Sequence, residues 1–196
     1  MSTTATHRRH PLRVAIVVGN PRPGSRTRKA AEGVTTALIA ELATQGVTAS
    51  DVDVLDLADL VSVSFGPQTA PAAHAAHAVA DPFAPVRDAG LVVVATPAYK
   101  GTFTGLLKVY LDQLGYQALA GVVAVPVGIG ACDAHRDAAG LDLARVLEEL
   151  GATVPAAPVA ISESDLDSLQ GPVDTWTALH ADAIAAAVRA AAPGGQ

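Results

Sequence analysis

The sequence predicts an α/β fold: a five-stranded parallel sheet in the order 2-1-3-4-5 with helices on both faces. Three observations carry this. Short Val/Ile-rich runs alternate with helix-period segments along the chain. The runs LRVAIVV and LVVVA are almost wholly apolar, as strands covered on both faces are. At 196 residues, half of them apolar, the chain has the size of one domain able to bury its own core. Parallel strands need right-handed crossovers, and five of them in a short chain favour this order.

The elements follow in sequence. Leu12–Val18 reads as the first strand. Arg26–Gln45 reads as a helix with Val34, Leu38 and Leu42 on one face, stopped by Gly46. DVDVLDL, Asp51–Leu57, alternates as a second strand. Asp59–Pro82, with Gly66, Pro67, Pro71 and many alanines, is expected to be loop plus a short helix, and Pro85–Ala89 the end of another helix. Leu91–Ala95 is the third strand. Phe103, Leu106, Leu107, Tyr110, Leu111 and Leu114 fall at helical spacing and predict a helix over Phe103–Tyr116. Val122–Val127 is the fourth strand, His135–Leu150 a helix ended by Gly151, and Thr153–Ile161 the last strand. Pro155 and Pro158 put that strand at an edge. Val173–Ala192 closes the fold. Residues 1–11 are expected to be a disordered extension, 12–192 a single domain and 193–196 a tail.

Composition excludes several classes. A net charge of −6 leaves no basic footprint for nucleic acid. Cys132 is the only cysteine, so no intrachain disulfide forms. The polar, basic start MSTTATHRRHPLR lacks the apolar region of a signal peptide, and no run approaches the roughly 18 apolar residues of a membrane span. A soluble, cytoplasmic protein is the expectation. His74 and His77 form an HxxH pair without a third ligand, so no metal site is expected.

Ligands of open α/β sheets bind beyond the carboxyl ends of the strands, where strand order reverses. Three loops lie there. The first, GNPRPGSRT, leads into a helix N-terminus, whose free amides and dipole favour an anion. Ser25 and Thr27 add hydroxyls, Arg22 and Arg26 add charge, and Pro21 and Pro23 stiffen the loop. Gly19 and Gly24 have the spacing of a P-loop, but Ser25 and Arg26 stand where that motif has Lys and Ser or Thr. An ATPase is thereby disfavoured; an ordinary Pro/Gly-rich turn also fits these residues. In the second loop, ATPAYKGTFTG, Tyr99 is a candidate wall of a flat pocket or a plain surface side chain. In the third, GIGACDAH, Gly128 and Gly130 allow close backbone approach to a ligand. Cys132 is expected to be a small buried filler and His135 to start the following helix.

At these loops the sequence resembles the NADPH-dependent FMN reductase family, and more narrowly the flavin reductase partners of two-component alkanesulfonate monooxygenases. The resemblance rests on GNPRPGSRT, ATPAYKGTFTGLLKVYLDQL and QALAGVVAVPVGIGACDAH, and covers roughly Leu12 to Leu150. It implies a flavodoxin-like three-layer sandwich that binds FMN and uses NADPH or NADH. Carried across residue by residue, Gly19, Asn20, Pro21 and Arg22 shape the first loop, and Ser25, Arg26 and Thr27 hold the FMN phosphate. Pro97, Ala98, Tyr99, Lys100 and Gly101 line one side of the ring. Gly128, Gly130, Ala131 and Cys132 lie near its pyrimidine edge.

Several positions depart from the family pattern, among them Gly115-Tyr116, where family members often have acid or proline after the Leu-rich helix. Asn20 stands for the usual Ser, Ala131 for a second glycine, and Cys132 for a hydroxyl residue. Ala131 disfavours positive φ, so the third loop is where flavin binding is expected to suffer. The resemblance implies hydride transfer from nicotinamide to flavin N5. No protein acid or base is needed, so no catalytic residue is named. It also implies a homodimer or homotetramer assembled through the Phe103–Tyr116 helix, and reduced flavin supplied to a flavin-dependent monooxygenase. An FMN-bound quinone, azo or nitro reductase, and a non-catalytic electron-carrying flavodoxin, remain open on the same residues.

Overall fold

In a computed structural model of the chain, residues 11–60 and 81–191 are described. The terminal segments and the His74–His77 pair named above lie outside them, as does most of Asp59–Pro82. The elements are β1 (Leu12–Val18), α1 (Arg26–Thr44), β2 (Ala49–Asp56), α2 (Leu57–Leu60), α3 (Ala84–Arg87), β3 (Leu91–Pro97), α4 (Gly105–Leu111), β4 (Val123–Gly130), α5 (Asp133–Glu149), β5 (Val159–Ser162) and α6 (Gln170–Ala191). A 3₁₀ turn, Glu163–Asp167, joins β5 to α6.

The sheet is parallel throughout, in the order β2-β1-β3-β4-β5, as the alternating pattern predicted. Side-chain alternation along the central strands divides the core in two. Val14, Ile16 and Val18 with Leu91, Val93 and Ala95 meet the apolar faces of α1 and α6. Ala15, Val17, Val92 and Val94 meet Leu107 and Leu111 of α4 and Leu143 and Leu147 of α5. Every residue of β3 and β4 is buried, which is why both read as unbroken apolar runs. Phe83 stacks on Tyr110 with ring centroids 5.0 Å apart, and the Tyr110 hydroxyl donates to the Pro82 carbonyl at 3.0 Å.

Most element boundaries lie within a few residues of the sequence expectation, and three of the differences have a local cause. The helix predicted over Phe103–Tyr116 is only Gly105–Leu111. Thr104 caps its start, accepting from the Leu107 amide at 3.2 Å. Its end tightens into i→i+3 bonds at Gln113 and Leu114, and Gln117 has a φ of 55°, which no helix continues through. The apolar period misled because Leu114 stays buried in the turn that follows. The last strand is split as well. Thr153 pairs with Val123 as a lone bridge, and regular pairing resumes only at Val159, beyond Pro155 and Pro158. Helix α5 starts at Asp133, two residues before His135, with Cys132 as its N-cap. No helix of the described residues is long and apolar enough to cross a membrane.

Candidate functional site

The loop after β1 is held by its own polar side chains. Asn20 is buried, and its Oδ1 accepts from the Arg22 amide at 2.9 Å while its Nδ2 donates to Thr27 Oγ1 at 2.9 Å. The departure from Ser at this position thus staples the two ends of the loop together. Because Thr27 Oγ1 accepts in that bond, its proton remains available to a ligand. Ser25 is the N-cap of α1, accepting from the Arg28 amide at 3.4 Å. The amides of Arg26 and Thr27 donate to nothing among the described residues. Two free amides, a hydroxyl and the α1 dipole therefore converge on one spot, with Arg22 and Arg26 beside it.

The loop after β3 is locked to the first. Gly19 donates to the Ala95 carbonyl at 2.8 Å, and the buried Thr104 hydroxyl donates to the Gly19 carbonyl. A Cβ on Gly19 would lie 2.9 Å from Leu107 Cβ, so β1 and α4 meet this closely only around a glycine. Tyr99 to Thr102 form a tight two-residue hairpin. The Tyr99 amide donates to the Thr102 carbonyl at 2.8 Å, and Lys100 and Gly101 have φ of 56° and 83°, the pattern of a type I′ turn.

The loop after β4 looks different from its sequence expectation. The missing side chains of Gly128 and Gly130 are replaced by α5: a Cβ would lie 2.2 Å from the Arg136 carbonyl oxygen at Gly128 and 2.6 Å from the Arg136 amide at Gly130. These glycines let the first turns of α5 lie directly on β4. Ala131 does not take the positive φ that a second glycine would permit; Lys100 and Gln117 are the only described non-glycine residues that do. Its methyl group therefore carries no backbone strain. Ala131→Gly is expected to leave flavin affinity within about twofold, since there is no strain to relieve and the substitution only loosens the turn; isothermal titration of the two proteins checks this. Cys132 is exposed rather than buried, and its side chain makes no capping bond.

A cleft of about 500 Å³ opens over the carboxyl ends of β1, β3 and β4. Of the residues singled out from sequence, Asn20, Arg22, Ser25, Arg26, Thr27, Pro97 and Tyr99 line it. Gly19, Pro21, Ala98, Lys100, Gly101, Gly128, Gly130, Ala131 and Cys132 build the loops around it without lining it. Pro23 and Ile129 also line it, as do Glu163 and Leu166, which sequence reasoning missed. Both come from the 3₁₀ turn after β5. Their only signal was position, just beyond the carboxyl end of the last strand.

Behind the first loop lies a buried carboxylate. The Asp56 side chain is 1% exposed at the end of β2, with Oδ1 accepting from the Ala58 amide at 3.2 Å and Oδ2 3.9 Å from Arg28 Nη1. Among the described residues no hydrogen bond reaches Oδ2. Burial raises its pKa above the ordinary 3.8, against the opposing pull of the Ala58 amide. The fold thus binds this proton more tightly than the unfolded chain does. That stabilisation is complete below 3.8 and is lost as pH rises through the raised value. At neutral pH, Asp56→Asn is expected to raise Tm, because Asn keeps the Ala58 bond without the buried charge. The gain should shrink toward zero as the solution is acidified, which paired melting curves across pH will show.

A parallel 2-1-3-4-5 sheet with an anion cradle at the β1/β3 switch point defines a flavodoxin-like α/β protein. An oxidoreductase from Corynebacterium diphtheriae shares the fold at a TM-score of 0.70 and 20% identity, over 92% of this chain and 99% of that one. The apo form of the NADH:FMN oxidoreductase EmoB aligns at 0.61 and 26% identity, over 86% and 89%. The chain belongs to the NADPH-dependent FMN reductase family, whose model matches residues 12–166. The NADH-dependent FMN reductase SfnF of Pseudomonas putida is 31% identical over 124 residues, 63% of each chain. The FMN reductase (NADPH) of Escherichia coli (strain K12) is 35% identical over 104 residues, 45% of this chain and 54% of that protein. The matched part of the chain thus spans between 54% and 63% of these curated relatives.

Proposed function

We propose that this chain is an NAD(P)H-dependent FMN reductase that passes reduced flavin to a partner monooxygenase. The observation carrying the proposal is the single cleft that joins an anion cradle to an aromatic and apolar wall. The free amides of Arg26 and Thr27, the Thr27 hydroxyl and two arginines suit one terminal phosphate. Pro97, Tyr99, Ile129 and Leu166 suit a flat, largely apolar ring. A monophosphate needs neither the P-loop lysine nor Mg²⁺, and this loop, despite its P-loop spacing of glycines, has Ser25 where that lysine would stand. Bound FMN supplies the hydride acceptor at N5. The chain's own tasks are then to hold the phosphate on α1, to orient the ring against Tyr99 and to limit water around it. None of them requires a protein acid or base.

The relatives' names support this activity: one is named for NADH and the other for NADPH. The SfnF likeness and the three loop motifs support a role in supplying flavin. Assembly into a homodimer or homotetramer in the cytoplasm completes the reading. Tyr116, 88% exposed just beyond α4, is where a partner copy would find an aromatic anchor.

The deciding experiment is an anaerobic titration with FMN and then NADPH or NADH, following flavin absorbance. Catalytic bleaching of excess FMN is expected. Bleaching of one equivalent with no turnover would mean a resident flavin serving another acceptor. Neither binding nor bleaching would overturn the reading.

A further inference from the structure

The hairpin that carries Tyr99 into the cleft is a poor structure by itself. It has two backbone bonds, and the return bond from the Thr102 amide to the Tyr99 carbonyl is 3.4 Å long. Lys100 sits at a φ of 56°. Left-handed backbone at a residue other than glycine is unfavourable and persists only where the surroundings hold it. A two-residue hairpin without such support is marginal in water. Its base is fixed, because the Ala98 amide donates to the Ile129 carbonyl at 2.6 Å. Among the described residues, one side-chain hydrogen bond ties the hairpin itself to the rest of the fold. Thr102 Oγ1 donates to Asp142 Oδ2 at 2.8 Å, across 40 residues.

Asp142 lies in α5, the helix seated on β4 through Gly128 and Gly130. The bond therefore references the Tyr99 wall to a helix packed directly on the central sheet. We infer that Asp142 is a positioning residue for the reductase: acting through Thr102, it sets the orientation of Tyr99 against the ring bound in the cleft. The inference rests on the proposed flavin site and adds to it. Asp142 does not line the cleft, so its effect passes through Thr102 and the hairpin. Among the described residues it makes one other polar contact, a 3.8 Å approach to Arg145, and a largely exposed pair of that kind contributes little.

Substitutions separate the latch from general packing. Asp142→Ala and Thr102→Val remove the bond; Asp142→Asn and Thr102→Ser keep an acceptor or a donor in place. In the flavin-free protein, hydrogen exchange at the Tyr99 and Thr102 amides should speed up in the first pair and stay slow in the second. With flavin, the first pair should lose about five- to tenfold in kcat, since small misplacements of reacting partners are costly. The ratio of FMN to riboflavin affinity should not move, because the phosphate is held by α1. The visible spectrum of bound flavin should shift in the first pair and match the unsubstituted protein in the second.

Wild-type exchange and kcat in Asp142→Ala would overturn the inference, as would failure of Asp142→Asn to restore them. If Asp142→Ala does not fold, Thr102→Val decides alone, because Val closely matches Thr in shape. A native protein that neither binds nor bleaches FMN would sink the flavin reading, while the exchange measurement would still report on the latch.

Discussion

Gly128→Ala is expected to destabilise the protein by roughly 3 kcal/mol or more, the range of overpacked core substitutions that cannot relax. The added methyl would lie 2.2 Å from the Arg136 carbonyl oxygen, 2.9 Å from the Gly140 amide nitrogen and 3.2 Å from Gly140 Cα. All three are backbone atoms of α5, so no side chain can swing aside. The strand cannot retreat either, because Gly128 is paired with Thr96 on one side and Ala160 on the other. Helix α5 must move off the sheet, taking the Cys132 cap and the Asp142 latch with it. Thermal melting should show a drop of roughly 6 to 12 °C for a chain of this size, with flavin affinity falling in parallel. Gly33→Ala is the matched control. It lies inside α1, where the new methyl would meet only Leu169 Cδ1 at 3.8 Å. Relief of the helical glycine cost should stabilise it by about 0.5–1 kcal/mol. A Gly128→Ala protein as stable as the native one would mean that α5 is not seated on β4 as described.

How much of this was legible in the sequence varies by element, for physical reasons. β3 was plain because helices cover both its faces, so burial alone dictated LVVVA. The first loop's strand, turn and N-cap were legible because all three are local. Helix α4 was over-read: a buried side chain satisfies an apolar period whether it sits in a helix or in the turn after it, as Leu114 does. Gly128 and Gly130 stood out as glycines. That their absent side chains face α5 is a tertiary fact that two glycines in a run cannot convey. Glu163 and Leu166 carry no motif at all. They join the cleft because β5 lies beside β4, bringing its following turn over the same edge of the sheet. Asn20 departs from the pattern in sequence alone, and only its bond to Thr27, at the far end of the same loop, shows what it holds.

Arg26→Ala is expected to weaken FMN about tenfold while leaving riboflavin unchanged. A charge-assisted bond to phosphate contributes about 1.5–3 kcal/mol, and the lower end applies here because Arg26 is exposed and solvent screens it. Riboflavin has the same ring and ribityl chain but no phosphate, so it isolates the contribution of the cradle. The substitution spares the helix: Ala is a good residue for the first turn, and the Ser25 cap bonds the Arg28 amide, not Arg26. The FMN advantage should not vanish altogether, since the Arg26 and Thr27 amides, the Thr27 hydroxyl and Arg22 remain. It should also depend less on salt than in the native protein, because one screened charge has gone. Arg26→Lys should recover part of the loss as a point charge without the planar fork. Equal weakening of FMN and riboflavin would place Arg26 against the ring and contradict the phosphate assignment. No weakening of either would leave the phosphate to the helix amides and Arg22, which the Arg22→Ala protein would then have to show.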